Sequence, residues 1–245
     1  MLLRKMTWIE PDWPVKANIH AAVTLRAGGF SQHPFHSLNP ALHVNDDAEL
    51  VEINRKKIVK MLKLPSNPVW LQQTHSNRAI KIDKSAVLAQ ADASYTDQAR
   101  VVSVVMTADC LPILLASYDG SEIAAIHAGW RGLLAGIIGN TIALFKADKV
   151  MAWLGPAIGP DCFEVGGEVK SSFVTKLNKF GSAFKQISED KYLADIYQLA
   201  TIELAMLGIT QVYGGGFCTV TDKQRFYSYR RDGETGRMAS LIWRD

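Results

Sequence analysis

Between Val101 and His127 the chain carries three apolar runs in quick succession: Val101 to Met106, Ile113 to Ala116 and Glu122 to His127. Runs this rich in Val, Ile and Leu read as strands covered on both faces. Too few residues separate them for a crossover helix, so the strands follow one another directly. That argues against a regular doubly wound sheet and for a mixed one. The same stretch holds two reactive residues. Cys110 lies just after the first run, in Thr107-Ala108-Asp109-Cys110-Leu111-Pro112, and His127 ends the third, in Ala125-Ile126-His127-Ala128-Gly129-Trp130-Arg131-Gly132. If the strands are neighbours, Cys110 and His127 meet in space.

The remaining pattern is α+β (mixed α/β): one domain, residues 1–245, with mixed β-sheets flanked by helices. His20 to Leu25 is β-prone and ends at the turn-forming pair Gly28-Gly29. Phe30 to Asn45 is a long loop holding His33, His36, Asn39 and His43, and long loops inside compact domains are often functional. Asp46, with Glu49 three residues on, reads as the capping box of a helix that ends before Pro65. Val69 to Leu71 and Ile80 to Ile82 read as short strands, and Ala91 to Tyr95 as a polar turn. Gly132 to Lys146 reads as one buried helix, Val150 to Leu154 as a strand, and Gly155 to Pro160 as a Gly/Pro loop. Glu168 to Leu177 and Tyr192 to Leu207 read as helices, Ile209 to Tyr213 and Ala239 to Trp243 as strands. No linker or short-period repeat divides the pattern.

Composition bounds the function. With 27 basic and 24 acidic residues the net charge is +3, too weak to imply nucleic acid or an anionic membrane as partner. No apolar run reaches membrane-spanning length, and Met1 to Glu10 lacks the apolar core of an export signal. The three cysteines have no pairing pattern. A cytoplasmic enzyme with reduced thiols, a small-molecule substrate and no obligate protein partner is expected.

His75, Cys110 and His127 all fall beside strand ends. Two imidazoles and a thiolate suit Zn²⁺, and three protein ligands leave a fourth position for water or substrate. The same residues also permit a metal-free reading, in which Cys110 is a nucleophile activated by a histidine and Asp109 or Asp92 orients that base. Arg26, Arg131 and Arg230 stand beside glycines or in polar turns and suit bidentate binding of phosphate or carboxylate. Asn39 and His43 are candidate hydrogen-bonding partners for a sugar or base. Two chemistries are disfavoured. A zinc nucleobase deaminase needs H-x-E with P-C-x-x-C, and this chain has neither. A multicopper oxidase needs many histidines, typically as H-x-H pairs, and six histidines are too few for its centres.

Four motifs carry a resemblance: Thr107 to Pro112, His127 to Gly132, Trp153-Leu154-Gly155-Pro156-Ala157-Ile158-Gly159 and Ser228-Tyr229-Arg230-Arg231-Asp232. In this order, over about Thr24 to Trp243, the chain resembles the bacterial YfiH family, also called the laccase-domain or polyphenol-oxidase family. The resemblance implies an α-β fold with mixed sheets. It also implies a zinc-binding purine nucleoside phosphorylase that deaminates adenosine and acts on methylthioadenosine. The family's zinc ligands fall on His75, Cys110 and His127. For deamination, Asp109 or another carboxylate is the expected proton carrier. Ser76 stands where the family usually has glycine, which bears on the shape of that turn. Two further activities come with the family: hydrolysis of mis-built UDP-muramyl-serine precursors in peptidoglycan editing, and copper-dependent phenol oxidation.

Overall fold

The structure, a computed structural model, describes residues 8–85 and 89–245. Most of the stretch considered above for an export signal, residues 1–7, lies outside the described residues. Of the three strands expected in succession, the last two pair with each other, whereas the first, Ser103–Thr107, joins the other sheet beside Met238–Arg244. Leu111–Ser117 and Ile123–Ala128 are antiparallel neighbours at the centre of a six-stranded sheet. Its order is Val212–Gly214, Val150–Leu154, Leu111–Ser117, Ile123–Ala128, Ala93–Thr96, Ala79–Lys81. The outermost pairs are parallel and the inner ones antiparallel, a mixed sheet. A second, antiparallel sheet of four strands runs Trp8–Ile9, Ile19–Thr24, Met238–Arg244, Ser103–Thr107.

The alternation of side chains explains why the central runs are apolar on every residue. Ile113, Leu115, Ala124 and Ile126 face the helices Trp130–Ala135, Ile137–Ile142, Gly167–Lys176 and Ile196–Met206. Leu114, Ala116, Ile123 and Ala125 face the other way, onto Val23, Val105, Met238 and Ile242 of the four-stranded sheet. That sheet's far face carries Val104, Leu241 and Trp243 against Ile58, Met61 and Leu62 of the helix Ala48–Leu62. Each central strand is thus buried on both faces, and a strand shifted by one residue would exchange its two faces.

Three local readings need correction. The helix at Ala48 is capped by Asp47, whose side chain accepts from the amides of Glu49 and Leu50. Asp46 instead turns inward to Ser31 and Asn39. The single helix expected over Gly132 to Lys146 is two, because Gly136 adopts φ 89° between them. The helix expected from Tyr192 begins at Ile196, capped by Asp195. Lys191–Ala194 forms a strand between Glu164–Gly166 and Phe184–Ser188, where pairing with two neighbours overrides helix propensity.

Candidate metal centre

The central strands deliver the cluster. Pro112 pairs with His127 and Leu111 with Ala128, so Cys110, one residue before this ladder, comes level with the end of the histidine strand. The third member arrives from outside the sheet, just beyond the strand Leu71–Gln72. His75 sits in the left-handed region with φ 60°, as does Asp109 with φ 94°, conformations that residues other than glycine seldom adopt. The His75 and His127 rings meet edge to face with centroids 4.8 Å apart. Ligand atoms of His75, Cys110 and His127 all lie within 4.8 Å of one another.

These donors fit a metal ion. Tetrahedral zinc, with a Zn–S bond of about 2.3 Å and Zn–N of about 2.0–2.1 Å, sets S and N roughly 3.6 Å apart. Cys110 Sγ and His75 Nε2 are 3.7 Å apart. His127 Nδ1 donates to Asp92 Oδ1 at 2.8 Å, which leaves Nε2 as the ligating nitrogen. Gly129 is needed for this approach. A Cβ there would stand 3.0 Å from both Cys110 Sγ and His75 Cδ2.

Asp92 organises the site from behind. It is fully buried. It accepts from the backbone amides of Thr74, His75 and Ser76, at 3.2, 2.9 and 2.7 Å, and from Ser76 Oγ at 2.6 Å. Desolvation pushes its pKa up, but the hydrogen bonds from His127 and Ser76 outweigh that and hold it well below the usual carboxylate range. The strand that follows it overlaps most of the segment read as a polar turn; Ala93–Thr96 is a fully buried strand. Asp92 is therefore the carboxylate that orients the histidine. Ser76 does more than fill a turn, since both its amide and its hydroxyl hold Asp92. Cys110 and His127 influence each other directly. Desolvation opposes charge on both, yet the pairing lowers the thiol pKa and raises that of the imidazole.

A cavity of about 390 Å³ opens beside the three donors. Trp130, Ile158, Phe163 and Ile196 give it apolar walls, and His43, Asp109, Arg131 and Arg230 also line it. Asp109 accepts from Thr219 Oγ1 and from the Arg230 amide, both at 2.6 Å. Arg230 sends its guanidinium to the carbonyls of Cys162 and Glu164. Arg131 is exposed and lies over the Trp130 ring. Two sequence candidates are elsewhere. Arg26 lies over the Tyr227 ring and donates to the Lys223 carbonyl, outside this cavity's lining. Asn39 is fully buried and bonds Asp46, Ala41 and the Arg237 amide, so it is a scaffold for the loop. Arg237, which like Arg131 stands beside a glycine in the sequence, also lines the cavity.

The comparisons agree with this architecture. The family described as multi-copper polyphenol oxidoreductase laccase matches residues 20–245. A Haemophilus influenzae protein named purine nucleoside phosphorylase is 49% identical over 97% of this chain and 99% of its own length. Purine nucleoside phosphorylase YfiH of Escherichia coli is 48% identical over 96% and 98%. Among solved structures, a Neisseria meningitidis protein superimposes with a TM-score of 0.94 at 45% identity, covering 98% of this chain and 100% of that one. YlmD of Geobacillus stearothermophilus gives 0.93 at 31%, covering 99% and 97%. With matched sequence over nearly its whole length and the same fold, this chain belongs to the laccase-like YfiH family.

Proposed function

We propose that this chain, as one catalytic unit over residues 1–245, is a zinc-dependent purine nucleoside phosphorylase. It converts adenosine, inosine or methylthioadenosine with phosphate to the free base and a ribose 1-phosphate. The observation that carries this reading is the placement of His75, Cys110 and His127 at a cavity with apolar walls and a cationic rim. Relatives at 48% and 49% identity named as purine nucleoside phosphorylases point the same way. The three unpaired cysteines suit a reducing cytoplasm.

In phosphorolysis a phosphate oxygen bonds to the anomeric carbon while the carbon–nitrogen bond to the purine breaks. The bonding pair leaves with the base, which takes up a proton. The transition state has oxocarbenium character, so the protein contributes by placing an anion against a developing cation. His75, Cys110 and His127 would hold the zinc ion, which when bound supplies a Lewis acid to polarise substrate. Zinc suits two imidazoles and one thiolate. Among the described residues this is the one such three-residue group, which does not suit a multicopper oxidase. Trp130 and Phe163 offer faces for the purine, and His43 and Arg131 polar contacts at the sugar and phosphate end. We assign proton transfer in adenosine deamination to Asp109, the carboxylate on the cavity wall. Each of its oxygens accepts one hydrogen bond and keeps a lone pair. A UDP-linked muramyl substrate would have to extend well beyond a cavity of this volume.

The test combines metal analysis with product identification. Purified protein incubated with inosine, adenosine and UDP-muramyl-serine should give ribose 1-phosphate from the nucleosides in phosphate. Cys110→Ala should lose both zinc and phosphorolysis. Full phosphorolysis by a zinc-free Cys110→Ala enzyme would overturn the mechanism. Turnover of UDP-muramyl-serine alone would replace it with the editing reaction.

A further inference from the structure

Several of the chain's arginines already have partners. Arg26 and Arg231 both face Asp232, Arg225 faces Asp222, and Arg230 donates to two carbonyls. Arg237 differs. It lines the cavity that holds His75, Cys110 and His127 and makes no ion pair among the described residues, although the charges of Cys110 and Asp109 act on it from the same cavity wall. Its Nη1 donates to the carbonyls of Thr235 and Gly236, at 2.8 and 3.0 Å, which fixes the plane of the guanidinium. Its amide donates to Asn39 Oδ1 at 3.0 Å, so a fully buried side chain anchors the residue from behind. The Nε and Nη2 donors have no protein partner among the described residues. A half-buried guanidinium held rigidly with one edge unspent is built for an oxyanion, since leaving it unanswered in a partly desolvated wall is costly.

We propose that Arg237 is the phosphate anchor of this site, presenting Nε–H and Nη2–H as a bidentate fork to an inorganic phosphate ion beside the metal cluster. The inference rests on the phosphorylase reading and moves the phosphate contact inward from Arg26, Arg131 and Arg230. His43 belongs to the same subsite. It shares the cavity with Arg237, and desolvation first and the Arg237 charge second lower its pKa to about 4. At neutral pH its ring is uncharged and can donate one hydrogen bond to the anion. Arg131 remains at the rim, where it can attract the ion without fixing its orientation.

The experiment uses the zinc-loaded protein and two readouts, steady-state phosphorolysis of inosine and calorimetric binding of inorganic phosphate. Arg237→Gln is expected to raise the phosphate KM roughly tenfold or more, as loss of a charge-assisted pair implies. The inosine KM and the zinc content should stay near those of the parent. Arg237→Lys keeps the charge but loses the fork, and it too should bind phosphate weakly while retaining zinc. It decides the matter if the glutamine variant folds poorly. Arg26→Gln, outside the cavity, should leave phosphate binding unchanged. An unaltered phosphate KM in Arg237→Lys would overturn the proposal. If the parent protein catalyses no phosphorolysis, the phosphorylase reading fails and calorimetry decides separately. Phosphate binding lost in Arg237→Lys would support the anchor. A parent protein that binds no inorganic phosphate would overturn it.

Discussion

Asp92 receives three successive backbone amides, a serine hydroxyl and a histidine ring on one buried carboxylate. Asp92→Asn would keep the shape but offer one acceptor oxygen in place of two and lose the charge that matches His127. Zinc affinity should fall roughly 10–100-fold, the usual effect of removing such an outer partner, as competition with a chromophoric chelator would measure. The residue pattern offers Asp92 only as one of two candidate orienters, beside Asp109, and gives no sign of the left-handed φ of His75. An aspartate between alanines looks like a turn until the chain that wraps it is known. His43 gives a second residue-scale prediction. Its folded pKa of about 4 lies below the ordinary value of 6.5. The unfolded chain therefore binds more protons between those limits, so this residue's contribution weakens as pH falls from 6.5 toward 4. His43→Gln should flatten the stability-against-pH curve in that window, measured by denaturant melts of protein kept free of metal.

At the scale of elements, the break between Trp130–Ala135 and Ile137–Ile142 rests on one residue. Gly136 has φ 89°, and a Cβ there would meet nothing within 4 Å. Gly136→Ala should cost about 1–2 kcal/mol from backbone strain alone, without a packing defect. Urea denaturation would show a lower midpoint and an unchanged slope. A loss well beyond that would mean the break also positions Trp130 and Arg131. What was legible at this scale follows from burial. Strands apolar on every residue announced a sheet covered on both sides, and the short connection from Leu111–Ser117 to Ile123–Ala128 announced antiparallel neighbours, while the equally short one after Ser103–Thr107 leads from one sheet to the other. That was enough to bring Cys110 to His127. The strand Lys191–Ala194 was not legible, because its residues suit a helix equally well and the two partners that make it a strand lie elsewhere in the chain. The cap at Asp47 rather than Asp46 has a similar cause. Either aspartate could cap, and only the contacts of Asp46 with Ser31 and Asn39 separate them.

For the whole molecule, a ligand that binds the folded chain alone raises its stability. A metal present at about 100 times its dissociation constant adds about 2.7 kcal/mol. Zinc should therefore raise the Tm of the parent protein and leave that of Cys110→Ala unmoved, as differential scanning fluorimetry would report. A rise of equal size in both would place the ion elsewhere. The binding residues come from three separated segments, yet the hydrogen bonds around Asp92 already hold His75 and His127 in place. Their ordering entropy is charged to folding, not to metal capture. Such a protein has no need of the ion to acquire its shape. Stripped by a chelator, it should keep its circular dichroism and near-ultraviolet signature. It should also regain zinc at the speed of a simple encounter rather than of refolding, so the metal is a part the finished fold can exchange.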